Sequence, residues 1–276
     1  MTESGEWVTV RVFPGSHRDA VPAALFAAGA QGVQELADSF VTHVPGQSVA
    51  NDVVCAMTAL GADIRVETEP TPDIDWSEQW KESIGLQRLG ALIVAPPWLA
   101  GDLDPARTIV IEPGMAFGTG DHATTRGVIR LLQNVVRSGD VVADLGAGSA
   151  VLAIAAARLG AARVAAIELD PDAIGNATEN VARNGVTDRV TVIEGDATAL
   201  LPLVAPVGVI TANIISSVLI ELLPAMRGAL APDGHAILSG ILAVERDAMR
   251  FALSGAWRVV EEDSEDIWWS VTIAPR

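Results

Sequence analysis

Residues 141–170 read VVADLGAGSAVLAIAAARLGAARVAAIELD, and their order decides the fold. A short β-branched run, Val141-Val142-Ala143, ends in Asp144. The turn Gly146-Ala147-Gly148-Ser149 follows, then an Ala/Leu/Ile run with helical spacing over residues 151–159. A second apolar run, residues 164–167, ends in Glu168. Strand, tight turn, helix and a strand with an acidic end make half of a nucleotide-binding α/β sheet. The glycines let the backbone approach a ligand closely, and the helix start offers N–H groups to it. Glu168 falls where a carboxylate accepts both hydroxyls of a ribose.

Downstream, the same pattern repeats. Asp170-Pro171-Asp172 opens a helix that runs to about residue 184, with Pro171 at its first position and Gly185 as its stop. Residues 190–194 form a third strand, followed by Gly195-Asp196-Ala197, where Asp196 either caps a helix or accepts from an adenine amino group. Residues 207–212 form a fourth strand that delivers Asn213 to the same crevice. The helix at 217–230 contains Pro224, which predicts a kink or break. A fifth strand spans 235–240 and a helix 243–253, and strands at 257–261 and 267–273 are close enough to pair antiparallel. Val151 replaces the third glycine of G-x-G-x-x-G, and no Walker lysine is present. The ligand that needs a ribose clamp, an adenine acceptor and no phosphate cradle is S-adenosyl-L-methionine. A dinucleotide fits less well.

Upstream, residues 1–67 read β-α-β-β-α-β, with strands at 7–12, 32–36, 40–44 and 64–67 and helices at 18–28 and 48–60. That order is ferredoxin-like, an α+β domain on an antiparallel sheet. Eight acidic side chains stand against three basic ones here, which suits a basic partner. Residues 68–112 read as linker and platform. Glu69-Pro70-Thr71-Pro72 cannot lie inside a helix, and Trp76 and Trp80 would share one helical face. Residues 113–276 form the α/β domain. They begin with PGMAFGTGDHATT, a glycine-rich loop ahead of a helix at 125–137, where Thr125 can cap or touch a ligand.

Charge and composition narrow the function. The 276 residues carry a net charge of −17, which disfavours direct nucleic-acid binding and favours cationic partners. Half of the residues are hydrophobic and 19% are charged, as in a globular chain. No apolar run is long enough to span a bilayer, and the first residues carry no basic leader, so a cytoplasmic location without membrane attachment is expected. Cys55 is the only cysteine; it excludes a cysteine metal cluster and, lying in an apolar run, is expected in the core. No metal site is expected.

Several motifs carry a resemblance. Asp144-Leu-Gly-Ala-Gly-Ser is similar to the first motif of seven-strand class I methyltransferases. Trp76/Trp80-Lys81, Ala95-Pro96-Pro97-Trp98, the G-T-G-x-H-x-T-T loop, Leu152-Ala-Ile-Ala-Ala and Ala212-Asn213-Ile214 resemble the bacterial methyltransferases of a stalk-base ribosomal protein, large-subunit protein eleven (PrmA-like). The resemblance covers nearly the whole chain, and the loop is its specific part. It implies a Rossmann-like seven-strand sheet and a small amino-terminal domain that recognises a basic ribosomal protein. It also implies methylation of lysine side chains or the α-amino group. A monomer is expected. By position it gives the methyl donor to Thr125, Gly146, Glu168 and Asn213. Asp144, Gly148 and Asp196 complete the candidate donor site, and Asn213 is the candidate catalytic residue, its side-chain oxygen holding the amine.

Three departures from the family pattern stand out. Ala150 replaces a usual glycine and is expected to narrow the space beside the methionine end of the donor. Asp121 and Ala123 replace a common Thr and Pro, and Glu168 a usual aspartate. Competing readings are a class I methyltransferase acting on another protein or a small-molecule amine, and a donor-binding protein without catalysis. Activity that survives loss of residues 1–67 would mark the first; donor binding without methyl transfer would mark the second.

Overall fold

A computed structural model describes residues 7–18, 20–30, 32–36, 38–71, 84–113 and 118–276. The chain forms two compact units, residues 1–82 and 83–276. Trp76, Trp80 and Lys81 lie outside the described residues, as does Gly114-Met115-Ala116-Phe117 of the loop.

The first unit has the expected element order. Strands β1 (Trp7–Phe13), β2 (Gln34–Glu35), β3 (Phe40–Pro45) and β4 (Arg65–Pro70) alternate with helices α1 (Val21–Ala27) and α2 (Gly46–Leu60). The antiparallel sheet runs β2-β3-β1-β4, the ferredoxin-like order. Val8, Val10 and Val12 of β1 alternate inward and meet Leu25, Phe40, Val53 and Met57. Glu69 and Pro70, read from sequence as the start of a linker, extend β4 opposite Thr9 and Val8. Pro70 is tolerated there because β4 is an edge strand. Cys55 is exposed rather than in the core. Helix α2 buries Ala50, Val53 and Met57, and the helical period turns residue 55 away from them.

The second unit holds two sheets. The smaller has β5 (Gln87–Leu89) antiparallel to β6 (Leu92–Ala95), which lies parallel to β7 (Thr108–Val110). The larger has seven strands: β8 (Val141–Leu145), β9 (Arg163–Glu168), β10 (Val190–Glu194), β11 (Val207–Asn213), β12 (Leu230–Leu242), β13 (Trp257–Glu265) and β14 (Trp268–Pro275). Their order is β10-β9-β8-β11-β12-β14-β13, with β14 antiparallel to both neighbours and the other pairs parallel. This is an α/β doubly wound sheet with an antiparallel hairpin at one end.

The helices are α3 (Ala123–Val135), α4 (Val151–Arg158), α5 (Pro171–Arg183), α6 (Ala197–Val204), α7 (Ser216–Ala229) and α8 (Arg246–Leu253). Each face of the sheet has its own core. One joins Val128, Leu132, Ile154 and Ala177 with Val142 and Val164. The other joins Leu201, Leu222 and Met226 with Leu145, Leu238 and Trp269. Helix α4 is alanine-rich and buried from Val151 through Ala157, so small side chains bring it close to the sheet. Helix α7 continues through Pro224 rather than ending there.

Candidate active site

Strand order reverses between β8 and β11, which pair side by side while their successors lie on opposite flanks. Ligands of such sheets bind beyond the carboxyl ends of the strands at this point. Gly146 follows β8 with φ +69, and its N–H donates to the Ile167 carbonyl at 2.9 Å. A Cβ on Gly146 would meet Ile214 Cγ2 at 2.6 Å, so the turn needs glycine for its conformation and for its closeness to β11. Gly148 (φ +52) donates its N–H to Glu168 Oε2 at 2.7 Å.

Glu168 ends β9 and is 9% exposed. Its Oε1 accepts the Asp170 N–H at 2.9 Å while Oε2 holds Gly148. Each oxygen keeps acceptor capacity for a hydroxyl, since a carboxylate offers about four lone-pair sites. Asp144 is fully buried. Its Oδ1 accepts from Thr211 Oγ1 at 2.6 Å and its Oδ2 from the Ala153 N–H at 3.0 Å. Burial pushes its pKa up to about 6, against the lowering by Thr211 and Ala153. Asp144 therefore fastens the start of α4 to β11 and does not line the cleft described below.

Asn213 closes β11 and donates through Nδ2 to Thr125 Oγ1 at 3.5 Å. Thr125 is buried in the first turn of α3. The cap of that helix is His122, whose Nδ1 lies 2.7 Å from Thr124 Oγ1 and accepts the Thr124 N–H. Capping thus falls to His122, and Thr125 is left to face the cleft. Ala123 occupies the first helical position, where the fixed φ of a proline also fits, so this departure preserves the helix start. Asp121 accepts from Gln87 Nε2 at 2.6 Å. Asp196 caps α6, its Oδ1 accepting the Thr198 N–H at 2.6 Å and Thr198 Oγ1 at 2.5 Å. These two bonds hold its carboxyl below the usual aspartate range.

A cleft of about 510 Å³ joins these residues: Thr125, Gly146, Gly148, Glu168 and Asn213 line it together with Gly118 and Ile214. A second lobe of about 250 Å³ shares Gly146, Glu168 and Ile214 and adds Leu169, Asp196 and Leu222. Thr125, Gly146, Gly148, Glu168, Asn213 and Asp196 are thus brought to one double-lobed cleft, and Asp144 supports it from behind. Among the described residues no cluster of His, Cys, Asp or Glu could hold a metal ion.

Ala150 is a correction. It does not line the cleft; it is buried in the core at the start of α4 with φ 65 and ψ 17, and its N–H donates to the Ala147 carbonyl. This left-handed backbone favours glycine at position 150 for its conformation rather than for room beside a ligand.

Gly118 and Ile214 stand in quoted motifs without an assigned role, and Gly240 lies outside every motif. Gly240 has φ +80, and a Cβ there would lie 2.5 Å from the Ile214 carbonyl oxygen, so β12 can approach the Asn213–Ile214 turn only with glycine. An isolated glycine inside a strand pattern was the available signal.

The family signature described as ribosomal protein L11 methyltransferase (PrmA) matches residues 24–275. The chain is similar to the ribosomal protein L11 methyltransferase of Pelotomaculum thermopropionicum, with 41% identity over 230 residues, 81% of this chain and 72% of that one. The Thermus thermophilus protein of the same name is 40% identical over 201 residues, 72% of this chain and 77% of its own. The crystal structure of a ribosomal protein L11 methylase from Lactobacillus delbrueckii subsp. bulgaricus matches with TM-score 0.62 at 29% identity. That match covers 70% of this chain and 100% of the other.

Proposed function

This chain belongs to the ribosomal protein L11 methyltransferase family, and on that premise we propose how its site works. It is an S-adenosylmethionine-dependent protein methyltransferase whose substrate is a ribosomal protein. The observation that carries the site reading is the convergence of Thr125, Gly146, Glu168 and Asn213 on one cleft from four separate segments.

The residues fit the donor. Glu168 keeps free acceptor capacity toward a ribose, and the Gly146 turn has no side chain to obstruct approach. In the second lobe, Asp196 Oδ2 is left over by the Thr198 cap and suits an adenine amino group. Leu169 and Ile214 offer apolar surface to an adenine ring. When bound, S-adenosylmethionine supplies a methyl group already activated on a sulfonium.

The chain therefore has three tasks: to align the amine, to exclude water, and to keep the amine neutral. A free lysine has a pKa of about 10.4 and an α-amino group about 7.7–8.0. A low-dielectric cleft favours the neutral form of either. Asn213 donates through Nδ2 to Thr125, which leaves Oδ1 to accept an amine N–H and aim its lone pair. No side chain is assigned as a general base.

The first unit, whose sheet runs through β4 to Pro70, is the substrate-recognition domain in this reading, and the unit that begins at Ser83 is the catalytic domain. The acidic first segment suits a basic ribosomal protein. The modified groups are lysine side chains and the α-amino group. The protein acts as a cytoplasmic monomer away from membranes; among the described residues no helix is long and apolar enough to cross one. Methyl transfer to a purified ribosomal protein substrate tests the catalytic assignment. Asn213→Ala should lose about a hundredfold in kcat with its circular dichroism intact, and unchanged turnover would remove Asn213 from the reaction.

A further inference from the structure

Helix α5 and its C-cap residue present three asparagines four residues apart, Asn176, Asn180 and Asn184, so they stack on one helical face. Two of them are buried, Asn180 at 0% and Asn184 at 5% exposed, and Asn176 is half-buried. Buried amides are tolerated only when fully bonded, and these are. Asn184 pairs with Val110 like a neighbouring strand, accepting its N–H at 2.8 Å and donating to its carbonyl at 2.7 Å. Asn176 donates to the Glu112 carbonyl at 3.3 Å.

Asn180 does something different. Its Oδ1 accepts the Glu112 N–H at 2.9 Å, while its Nδ2 donates to the Ser149 carbonyl at 3.2 Å and to Asn176 Oδ1 at 3.3 Å. Ser149 in turn donates its hydroxyl to the Gly118 carbonyl at 2.5 Å. Gly118 lines the cleft, and Ser149 directly follows Gly148 of the glycine turn. A Cβ on Gly118 would approach Ser149 Oγ to 2.9 Å, so the two segments leave no slack. One buried amide thus ties Glu112 to the glycine turn, and through Ser149 to Gly118.

We infer that Asn180 is a positioning residue of the donor site: it sets the spacing of Glu112 and Gly118 from the glycine turn. It is fully buried and does not line the cleft. Asn184 holds the same stretch of chain from the same helix but makes no bond to the turn, which makes it an internal control. The inference rests on the donor-site reading above.

The experiment is calorimetric binding of S-adenosylhomocysteine to the full chain, wild type and variants, with thermal unfolding of each. Wild type that fails to bind would contradict the donor-site reading itself. If wild type binds, Asn180→Ala and Ser149→Ala should weaken affinity about tenfold, the share of one buried hydrogen bond. In turnover the loss should fall on KM for the donor rather than on kcat. Asn184→Ala should lower the melting temperature at least as far as Asn180→Ala yet keep affinity within about twofold. Wild-type affinity in Ser149→Ala, or an Asn184→Ala loss equal to that of Asn180→Ala, would overturn the inference. Ser149→Ala removes only a hydroxyl and carries the test if Asn180→Ala does not fold.

Discussion

Gly148 donates its backbone N–H to Glu168 Oε2 across 2.7 Å, binding the turn after β8 to the end of β9. The carboxylate that suits a ribose is the same one that shapes the glycine turn. Its second oxygen is held by the Asp170 N–H, so the side chain is fixed in advance of any ligand. Fixing an acceptor beforehand lowers the entropy lost on binding.

Glu168→Ala should therefore be costly twice over, removing the acceptor and releasing the turn. S-adenosylhomocysteine affinity, read by calorimetry, should fall by about a hundredfold, two hydrogen bonds to a charged group. Undiminished binding would count against the clamp.

Ala150→Gly should stabilise the protein by about 1 kcal/mol. A non-glycine residue in the left-handed region costs about 1–2 kcal/mol, partly offset by the freer unfolded chain of glycine. Because Ala150 does not line the cleft, donor affinity should stay within about twofold. Chemical denaturation and calorimetry on the pair check both statements, and a gain in affinity without a gain in stability would restore the space-filling explanation.

Gly240→Ala should move the Asn213–Ile214 turn, since its Cβ would lie 2.5 Å from the Ile214 carbonyl oxygen. The positive φ adds strain. Stability should drop by about 2 kcal/mol, and kcat should drop with it because Asn213 is displaced. Wild-type kcat in a folded variant would show that the turn adapts.

Asp144 gives a pH dependence with a definite sign. Its folded pKa of about 6 lies above the ordinary 3.8, so the folded state holds this proton more tightly than the unfolded chain. Its contribution is present at low pH and is lost as pH rises through that window. Denaturation of wild type and Asp144→Asn between pH 4 and 7 should show the wild-type advantage shrinking as pH rises toward 6. A constant difference would contradict the burial argument.

The sequence carried the seven-strand domain because its signals are local. Asp170-Pro171 at a helix start, Gly185 at its stop and alternating apolar runs each specify their own element. The strand-end residues Glu168, Asp196 and Asn213 were legible for the same reason, since the carboxyl end of a parallel strand is a fixed address for ligands. What stayed hidden depends on contacts between distant segments. Thr211 lies 67 residues from its partner Asp144, and Asn184 lies 74 from Val110. No spacing in one segment reports such pairs. The role of Ala150 is hidden because a letter in a motif does not say whether the position serves the backbone angle or the ligand. Cys55 lies in an apolar run yet is exposed, because α2 buries only one face.

The most direct test of the central claim is to follow the methyl group. The purified chain is incubated with isotope-labelled S-adenosylmethionine and a mixture of purified large-subunit ribosomal proteins, and the label is located by mass spectrometry. The account predicts label on lysine or α-amino nitrogens of the stalk-base protein, lost with Asn213→Ala. Label on a different protein, or none with a chain that binds the donor, would contradict it.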